Sequence, residues 1–419
     1  MNRTVKNALS LLLCAALLMG LCAAAAAKEA VVPPAQRFND NGKYTIVQFT
    51  DFQEGGTFSS IAKDFIRDYA ARYKPDLFVL TGDNISSGSA LSSIPAEERT
   101  RENALAAIRT AINNYMDVFD EVGIPVTMVF GNHDAESGYV SRYDEFQIYR
   151  EHPSFIGTSP VAAPGAQNET ASGNHYGTHA IDIQSSDSAE TAFRLFMFDS
   201  GDYSSAGYGY VQPEQIAWYE SIQTADPKPS IAFQHIVPLE VTDSLIEVSQ
   251  DTEGARGATN GKYYILPEGS LGEMNEGVCP GRRTAGQAAA LEAHGTQAVY
   301  FGHDHVNSYE VLSAGGLLYV NTPSASFGSY PDSGPNVRCR GARVITLDEA
   351  TGLATSELVT YDAFYSEGPW AWFDILRYNM FIDMKTGATW IDIFTFAPLN
   401  WLFKALGLKG EGAWFVELF

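Results

Sequence analysis

Three short apolar runs set what this chain can fold into. "YTIVQFTD", "PDLFVLTGDN" and "PVTMVFGNHD" each read as a strand that breaks off into polar residues. Between the first two, Ile61, Phe65, Ile66, Tyr69 and Tyr73 recur on one helical face. Between the second and third, Leu105, Ile108, Ile112, Tyr115, Phe119 and Val122 follow at spacings of three and four. Strand, helix, strand, helix, strand predicts an α/β fold with at least part of its sheet parallel. A less regular region near 135–190 reads as a surface excursion able to carry specificity. "AFRLFMFDSGDYS", "PSIAFQHIVP", "QAVYFGHDHV" and "GARVITLD" then resume the strands.

The ends differ in kind from this middle. Arg3 and Lys6 precede "ALSLLLCAALLMGLC", and Ala25 and Ala27 give a small-x-small pattern, so residues 1–27 read as a signal peptide cleaved near Lys28. Cys22 as a lipid anchor is disfavoured by the bulky Leu21 before it. The mature chain is expected to be exported. Cys279 and Cys339 would remain, and an even count in an exported protein predicts a bridge between them rather than two free thiols. Residues 363–419 hold five of the six tryptophans, with Asp392 and Pro398 breaking the apolar run. This extension is expected to pack onto the main domain (28–362), with contact to a membrane interface as the alternative.

With 50 acidic against 27 basic side chains the formal charge is −23, and no Lys/Arg run offsets it, so nucleic acid is not an expected partner. The 45% hydrophobic content over 419 residues is enough for a substantial core.

Chemistry concentrates after the strands. Asp51-Phe52-Gln53, Gly82-Asp83-Asn84, Gly131-Asn132-His133-Asp134, Gln234-His235 and Gly302-His303-Asp304-His305 share that placement. Strand carboxyl ends are where open α/β sheets bind ligands. Any one motif has a bland reading as a turn or a hydrogen-bonded histidine; all of them in this order do not. Carboxylate, amide and imidazole groups meeting there are ligands suited to two divalent cations. His152, His175, His179 and His294 fit no such pattern and read as surface or packing residues.

In these motifs the chain resembles the calcineurin-like metallophosphoesterases over about residues 44–347, and within them the purple-acid-phosphatase-like branch of fungi and plants. "GNHDAESGYVSR", "FDSGDYS", "PSIAFQHIVPLE" and "VYFGHDHVNSY" carry the latter likeness. The resemblance implies an α/β (α+β) fold, a four-layer αββα sandwich of two mixed β-sheets flanked by helices. It implies one metal held by Asp51, Gln53, Asp83 and His305, and another by Asp83, Asn132, His235 and His303. His133 would face the phosphate, with Asp134 orienting its ring. Two ions (Mn, Fe or Zn) about 3.5–4 Å apart would clamp a phosphoryl group and activate water for in-line attack. They would also leave a local positive charge able to draw an anionic substrate to an acidic protein.

Two departures stand out. Gln53 sits where the family pattern has histidine, and an amide oxygen is a harder, weaker donor, which tilts that position towards Mn²⁺ or Fe. Ser86 sits where purple acid phosphatases place a ligating tyrosine, so no tyrosinate-to-iron colour is expected. The implied activity is phosphomonoester hydrolysis of a small phosphorylated substrate. Phosphodiester or pyrophosphate hydrolysis on nucleotides or cell-wall polymers is the runner-up, and a non-catalytic metal- or phosphate-binding protein the reading of another class.

Overall fold

The computed structural model describes residues 35–158, 176–204, 207–325 and 339–365. The expected signal peptide, His175 and nearly all of the aromatic extension lie outside these residues. Among the described residues no helix is long and apolar enough to cross a membrane.

The first sheet is built from β1 (Lys43–Phe49), β2 (Leu77–Thr81), β3 (Val126–Val129), β15 (Gly341–Asp348) and β16 (Leu353–Thr360), in the order β16-β15-β1-β2-β3. β1, β2 and β3 run parallel, while β15 and β16 add on antiparallel. The parallel pairs are joined by the two expected helices, α1 (Ser60–Tyr73) and α3 (Arg101–Val122), with the short α2 (Ser87–Ala90) between them. Thr100 caps α3, its side chain accepting from the Asn103 amide, and Gly123 ends the helix at φ 70°. A capping box of Ser141 and Asp144 starts α4 (Arg142–Tyr149).

The second sheet takes β4 (His179–Gln184), β5 (Thr191–Met197), β8 (Ser230–Phe233), β12 (Thr296–Phe301), β13 (Glu310–Leu312) and β14 (Leu318–Asn321), in the order β13-β14-β12-β8-β5-β4. Its four inner strands are parallel and its edges antiparallel. α5 (Pro213–Ala225) and α6 (Gln287–Ala293) lie in its crossovers, and a small hairpin, β6 (Tyr203–Ser204) with β7 (Gly207–Tyr208), follows β5. A separate small sheet pairs β9 (Ile246–Val248), β10 (Arg256–Gly257) and β11 (Tyr263–Ile265).

Alternation along the strands makes the layers. Tyr44 and Ile46 of β1, with Leu77 and Val79 of β2, pack against Leu195, Ile231, Phe233 and Tyr300 of the other sheet. Their neighbours Val47, Phe49, Phe78 and Leu80 face the other way, onto Phe65, Tyr69, Ile108 and Tyr115 of α1 and α3. On the far side, Phe196, Ala232, Val299 and Phe301 meet Ile216 and Tyr219 of α5 and Leu291 of α6. A strand with both faces buried needs apolar residues on both, which is why these segments read as continuous runs. The result is the expected αββα sandwich of two mixed sheets.

The last described helix, α7 (Tyr361–Tyr365), crosses the expected boundary at 362 and stays on the main body. Tyr361 stacks on Phe65 at 3.6 Å and Phe364 on Tyr69 at 4.5 Å. The expected Cys279–Cys339 bridge is not formed; both thiols are free. Each sulfur is turned to its own partner: Cys279 donates to the Gly277 carbonyl at 3.3 Å, and Cys339 accepts from the Asn275 side-chain amide at 3.4 Å.

Candidate metal centre

β1, β2 and β3 end on the same side of the first sheet, and β5, β8 and β12 end together in the second. The polar motifs follow these ends. Where they turn, the backbone enters a region that L-residues avoid: Asp51 has φ 54°, Gln53 44°, Asp83 48° and His303 71°. Only one other described non-glycine residue does so, Lys74, at a helix C-cap. Left-handed backbone at a non-glycine residue costs about 1–2 kcal/mol, so four such residues at one place are held by their surroundings. Two glycines make room. A Cβ on Gly131 would lie 2.1 Å from Asp83 Oδ1, and one on Gly302 would lie 2.3 Å from Asp51 Oδ2. The two carboxylates rest against bare backbone.

These loops bring the expected ligands together. Ligand atoms of Asp83, His235 and His303 lie within 4.8 Å of one another, as do those of Asp51, Asp83 and His305, so Asp83 belongs to both groups. Asp83 Oδ2 is 3.2 Å from His235 Nε2, and Asp51 Oδ1 is 3.2 Å from His305 Nε2. Asn132 joins through Oδ1, 3.1 Å from the same His235 nitrogen. Gln53 joins differently: its amide nitrogen, not its oxygen, meets Asp83, at 2.7 Å from Oδ2. The free carboxylate atoms are taken by backbone: Asp83 Oδ1 accepts from His133 N at 2.7 Å, and Asp51 Oδ2 from His303 N at 3.0 Å.

The donor set fits cations. His235 Nδ1 donates to the Thr81 carbonyl at 2.9 Å, which leaves Nε2 as a lone pair aimed between Asp83 and Asn132 oxygens. Three acceptors meeting in a buried space need a positive charge between them. Burial opposes a charge on His235 itself, but Asp83 and Asp51 push its pKa up to about 9. His303 is opposite. Burial, reinforced by His235, takes its pKa down to about 3, and its buried Nε2 has no hydrogen-bond partner. A neutral imidazole with a buried ring nitrogen that no protein group satisfies suits a metal ligand.

His133 sits at the rim with its side chain 34% exposed. Asp134 does not orient it. The Asp134 carboxylate is wholly buried and accepts from the Gly131 amide at 2.7 Å and the Ile85 amide at 3.1 Å, so it pins the turn. Side chains adjacent in sequence diverge in a turn, and the ring's partner is instead Glu136, whose Oε2 lies 2.6 Å from Nδ1. Ser86 donates to the other Glu136 oxygen at 3.0 Å. Glu136 was absent from the sequence reading, although its spacing of three from His133 is that of residues sharing a turn.

Three further side chains contribute without any signal in the sequence. Arg142 donates to both Asp199 oxygens, at 2.5 and 2.7 Å, and to the Gly131 carbonyl at 2.9 Å, joining "GYVSR" to "FDSGDYS". From the hairpin, Tyr203 Oη accepts from Asn132 Nδ2 at 2.8 Å, which fixes the amide with its oxygen towards His235. The Tyr208 ring stands edge-on to His303 at 4.3 Å. Of the other described histidines, His152 bonds Asp120 and Asn113, and its ligand atom lies within 4.8 Å of those of Asp117 and Asp120; His179 bonds Thr127 and Gly177, and His294 packs on Tyr219.

Residues 44–307 match the family described as calcineurin-like phosphoesterase. Curated relatives include "Probable inactive purple acid phosphatase 28" of Arabidopsis thaliana, 27% identical over 361 residues, covering 77% of this chain and 79% of that protein. "Probable inactive purple acid phosphatase 29" of the same plant is 24% identical over 350 residues, covering 74% and 78%. Among solved structures, "GAP50 the anchor in the inner membrane complex of Plasmodium" aligns at a TM-score of 0.40 with 10% identity, covering 76% of this chain and 84% of that one, too loose a likeness to argue from. The family match spans more than half of the chain and every strand end that carries a candidate ligand. The chain therefore belongs to the calcineurin-like phosphoesterase family, in its purple-acid-phosphatase-like branch.

Proposed function

We propose that this protein is an exported phosphoesterase that uses two metal ions to hydrolyse small phosphomonoesters. The observation that carries the reading is the pair of donor groups sharing Asp83, one of them holding the orphaned His303 nitrogen. Asp51, Gln53, Asp83 and His305 would hold one cation, and Asp83, Asn132, His235 and His303 the other. Bound there, Mn, Fe or Zn ions would polarise a phosphoryl oxygen and acidify a water. The protein supplies the rest. The backbone amides on Asp51 and Asp83 fix the carboxylates, Thr81 sets the His235 tautomer, and Tyr203 sets the Asn132 amide. His133, with Nδ1 committed to Glu136, has Nε2 left to meet a phosphate oxygen or a departing alkoxide. Export is supported by the signal-like residues 1–27.

The relatives' names call those plant proteins inactive; in this chain the two donor groups sharing Asp83 and the His133–Glu136 pair support turnover. The test strips the metal, restores Mn²⁺, Fe²⁺ or Zn²⁺ separately, and assays p-nitrophenyl phosphate beside its bis-ester. Hydrolysis of the monoester is expected. Faster hydrolysis of the bis-ester would make it a diesterase. Tight metal binding with no hydrolysis of either would leave a metal- or phosphate-binding protein.

A further inference from the structure

We propose that Asp117, Asp120 and His152 form a further metal site, apart from the candidate dinuclear centre, that takes a zinc-like dication and fastens the end of α3 to the segment leaving α4.

Asp117 and Asp120 lie three apart near the end of α3, so they share a face. His152 follows α4 and is folded back onto that face: its amide donates to the Tyr149 carbonyl, and its own carbonyl accepts from the Phe155 amide, each at 3.1 Å. The next residues run beside the start of β3, where Val126 N donates to Ser154 O and Ile156 N to Val126 O, each at 2.9 Å. The cluster therefore sits at the opposite end of β3 from Asn132.

One ligand atom from each of the three residues lies within 4.8 Å of the other two. His152 Nδ1 is 2.8 Å from Asp120 Oδ2 and 4.0 Å from Asp117 Oδ1. Bonds of about 2.0–2.2 Å to a zinc ion allow donor atoms up to roughly 4 Å apart. The Asp117 side chain, 73% exposed, has room to swing inward.

The surroundings are those of a ligand set. Ser154 N and Oγ donate to Asp120 Oδ1, at 3.0 and 2.6 Å, so that oxygen is held while Oδ2 turns to the imidazole. On the far side of the ring, Nε2 is 3.1 Å from Asn113 Oδ1. Both nitrogens of this buried ring thus face an oxygen, and a neutral imidazole has a single hydrogen to give. With that hydrogen on Nε2 and donated to Asn113, Nδ1 presents a lone pair to the Asp120 carboxylate, which a cation between them relieves. Two carboxylates balance the charge of a dication. With one imidazole they make a donor set suited to zinc, leaving a fourth position for water. Calcium, which takes about six to eight oxygens, is poorly served.

The test is zinc content per chain, by elemental analysis of the full chain after dialysis against a fixed free Zn²⁺ concentration. The unaltered protein should hold one equivalent more than Asp117→Asn, a change at an exposed side chain that leaves the buried ring and Asp120 in place. His152→Gln should lose the same equivalent. Glu102→Gln, which removes an exposed charge from the other end of α3, is the control and should lose none. Added Zn²⁺ should also raise the melting temperature of the unaltered protein further than that of Asp117→Asn, with p-nitrophenyl phosphate turnover the same in both. Equal zinc content in the unaltered protein and Asp117→Asn overturns the site and leaves a proton between His152 and Asp120. Equal losses in Asp117→Asn and Glu102→Gln overturn it as well, reducing the binding to that of an acidic surface.

Discussion

Glu136 Oε2 lies 2.6 Å from His133 Nδ1, three residues away on the same turn. Burial disfavours the protonated ring, yet this bond and the Asp83 charge raise the His133 pKa above its usual value. Glu136 is lowered in turn: burial opposes this, but the His133 bond outweighs it. The pair shares a proton and fixes which nitrogen faces the metal centre. Glu136→Gln should keep metal content and fold while lowering kcat on p-nitrophenyl phosphate by roughly 10- to 100-fold, within the usual range for general acid–base help. Asp134→Asn should do the opposite and first lower the melting temperature, because Asp134 anchors two backbone amides. Kinetics, metal analysis and thermal melts on the two variants separate the roles; a silent Glu136→Gln would return the task to Asp134.

Gly131 is the position where a single methyl should do the most harm. Its Cβ would sit 2.1 Å from Asp83 Oδ1 and 2.3 Å from Asp83 N, so the shared carboxylate must move. Gly131→Ala is expected to lose the stabilisation that added Mn²⁺ gives in a thermal melt, and to cost roughly 1–3 kcal/mol in the metal-free protein. Gly138 is the control. It has φ 72° and open space around its Cβ position, so Gly138→Ala carries only the backbone penalty of about 1–2 kcal/mol and should retain the metal response.

The sheet ends were legible because each motif follows an apolar run, and a run of buried strand residues shows in the sequence without knowledge of its partners. Asp51, Asp83, His235, His303 and His305 could be named from that placement alone. Glu136 carries only its spacing of three from His133, and Tyr203 and Arg142 carry no signal. The latter two act through a side chain reaching across a loop: Tyr203 to Asn132 over 71 positions, Arg142 to Asp199 over 57. No periodicity marks such contacts. Adjacency in the chain does not bring Asp134 to the His133 ring, because neighbouring side chains diverge in a turn and the Asp134 carboxylate is held by the Gly131 and Ile85 amides. The Cys279–Cys339 pairing rested on counting, which carries no information about where either sulfur points.

Ser86 predicts the colour of the iron form. Its hydroxyl donates to Glu136 and its side chain accepts from the Ser89 amide at the start of α2, so the position that would bear a tyrosinate instead supports His133. Iron-loaded protein should therefore show no tyrosinate charge-transfer band in visible absorption. Among the described residues, Tyr203 has its hydroxyl bonded to a candidate ligand, Asn132. A visible band that disappears in Tyr203→Phe would show that this residue, and not one near Ser86, had become a ligand.

His179 should set part of the acid limit of stability. Its ring is buried, with Nδ1 donating to the Gly177 carbonyl at 2.8 Å and Nε2 placed to accept from Thr127 at 2.7 Å. Burial lowers its pKa to about 4 from an ordinary value near 6.5. The unfolded chain therefore binds a proton that the native state refuses between those values. The stabilisation is complete above pH 6.5 and lost as pH falls towards 4. The full effect is of the order of 3 kcal/mol. Denaturant unfolding of the metal-free protein at pH 7 and 5 should show a smaller loss in His179→Gln than in the unaltered chain; equal losses would show that the ring is protonated without cost.

Gln53 offers the most direct reading of the metal centre. Its backbone is held at φ 44° and its amide already touches Asp83, so a side chain at 53 reaches the first candidate cation site whichever amide atom faces inward. Histidine tolerates left-handed backbone about as well as any non-glycine residue outside Asn and Asp, and Gln53→His should add little strain. An imidazole there replaces a hard, weak oxygen donor with a nitrogen that favours zinc. Competition titrations should show Zn²⁺ affinity rising more than Mn²⁺ affinity, with one cation site affected and the other unchanged. If neither affinity moves, position 53 is not a ligand, Asp51, Asp83 and His305 hold the first cation with water, and the amide's bond to Asp83 is its whole role.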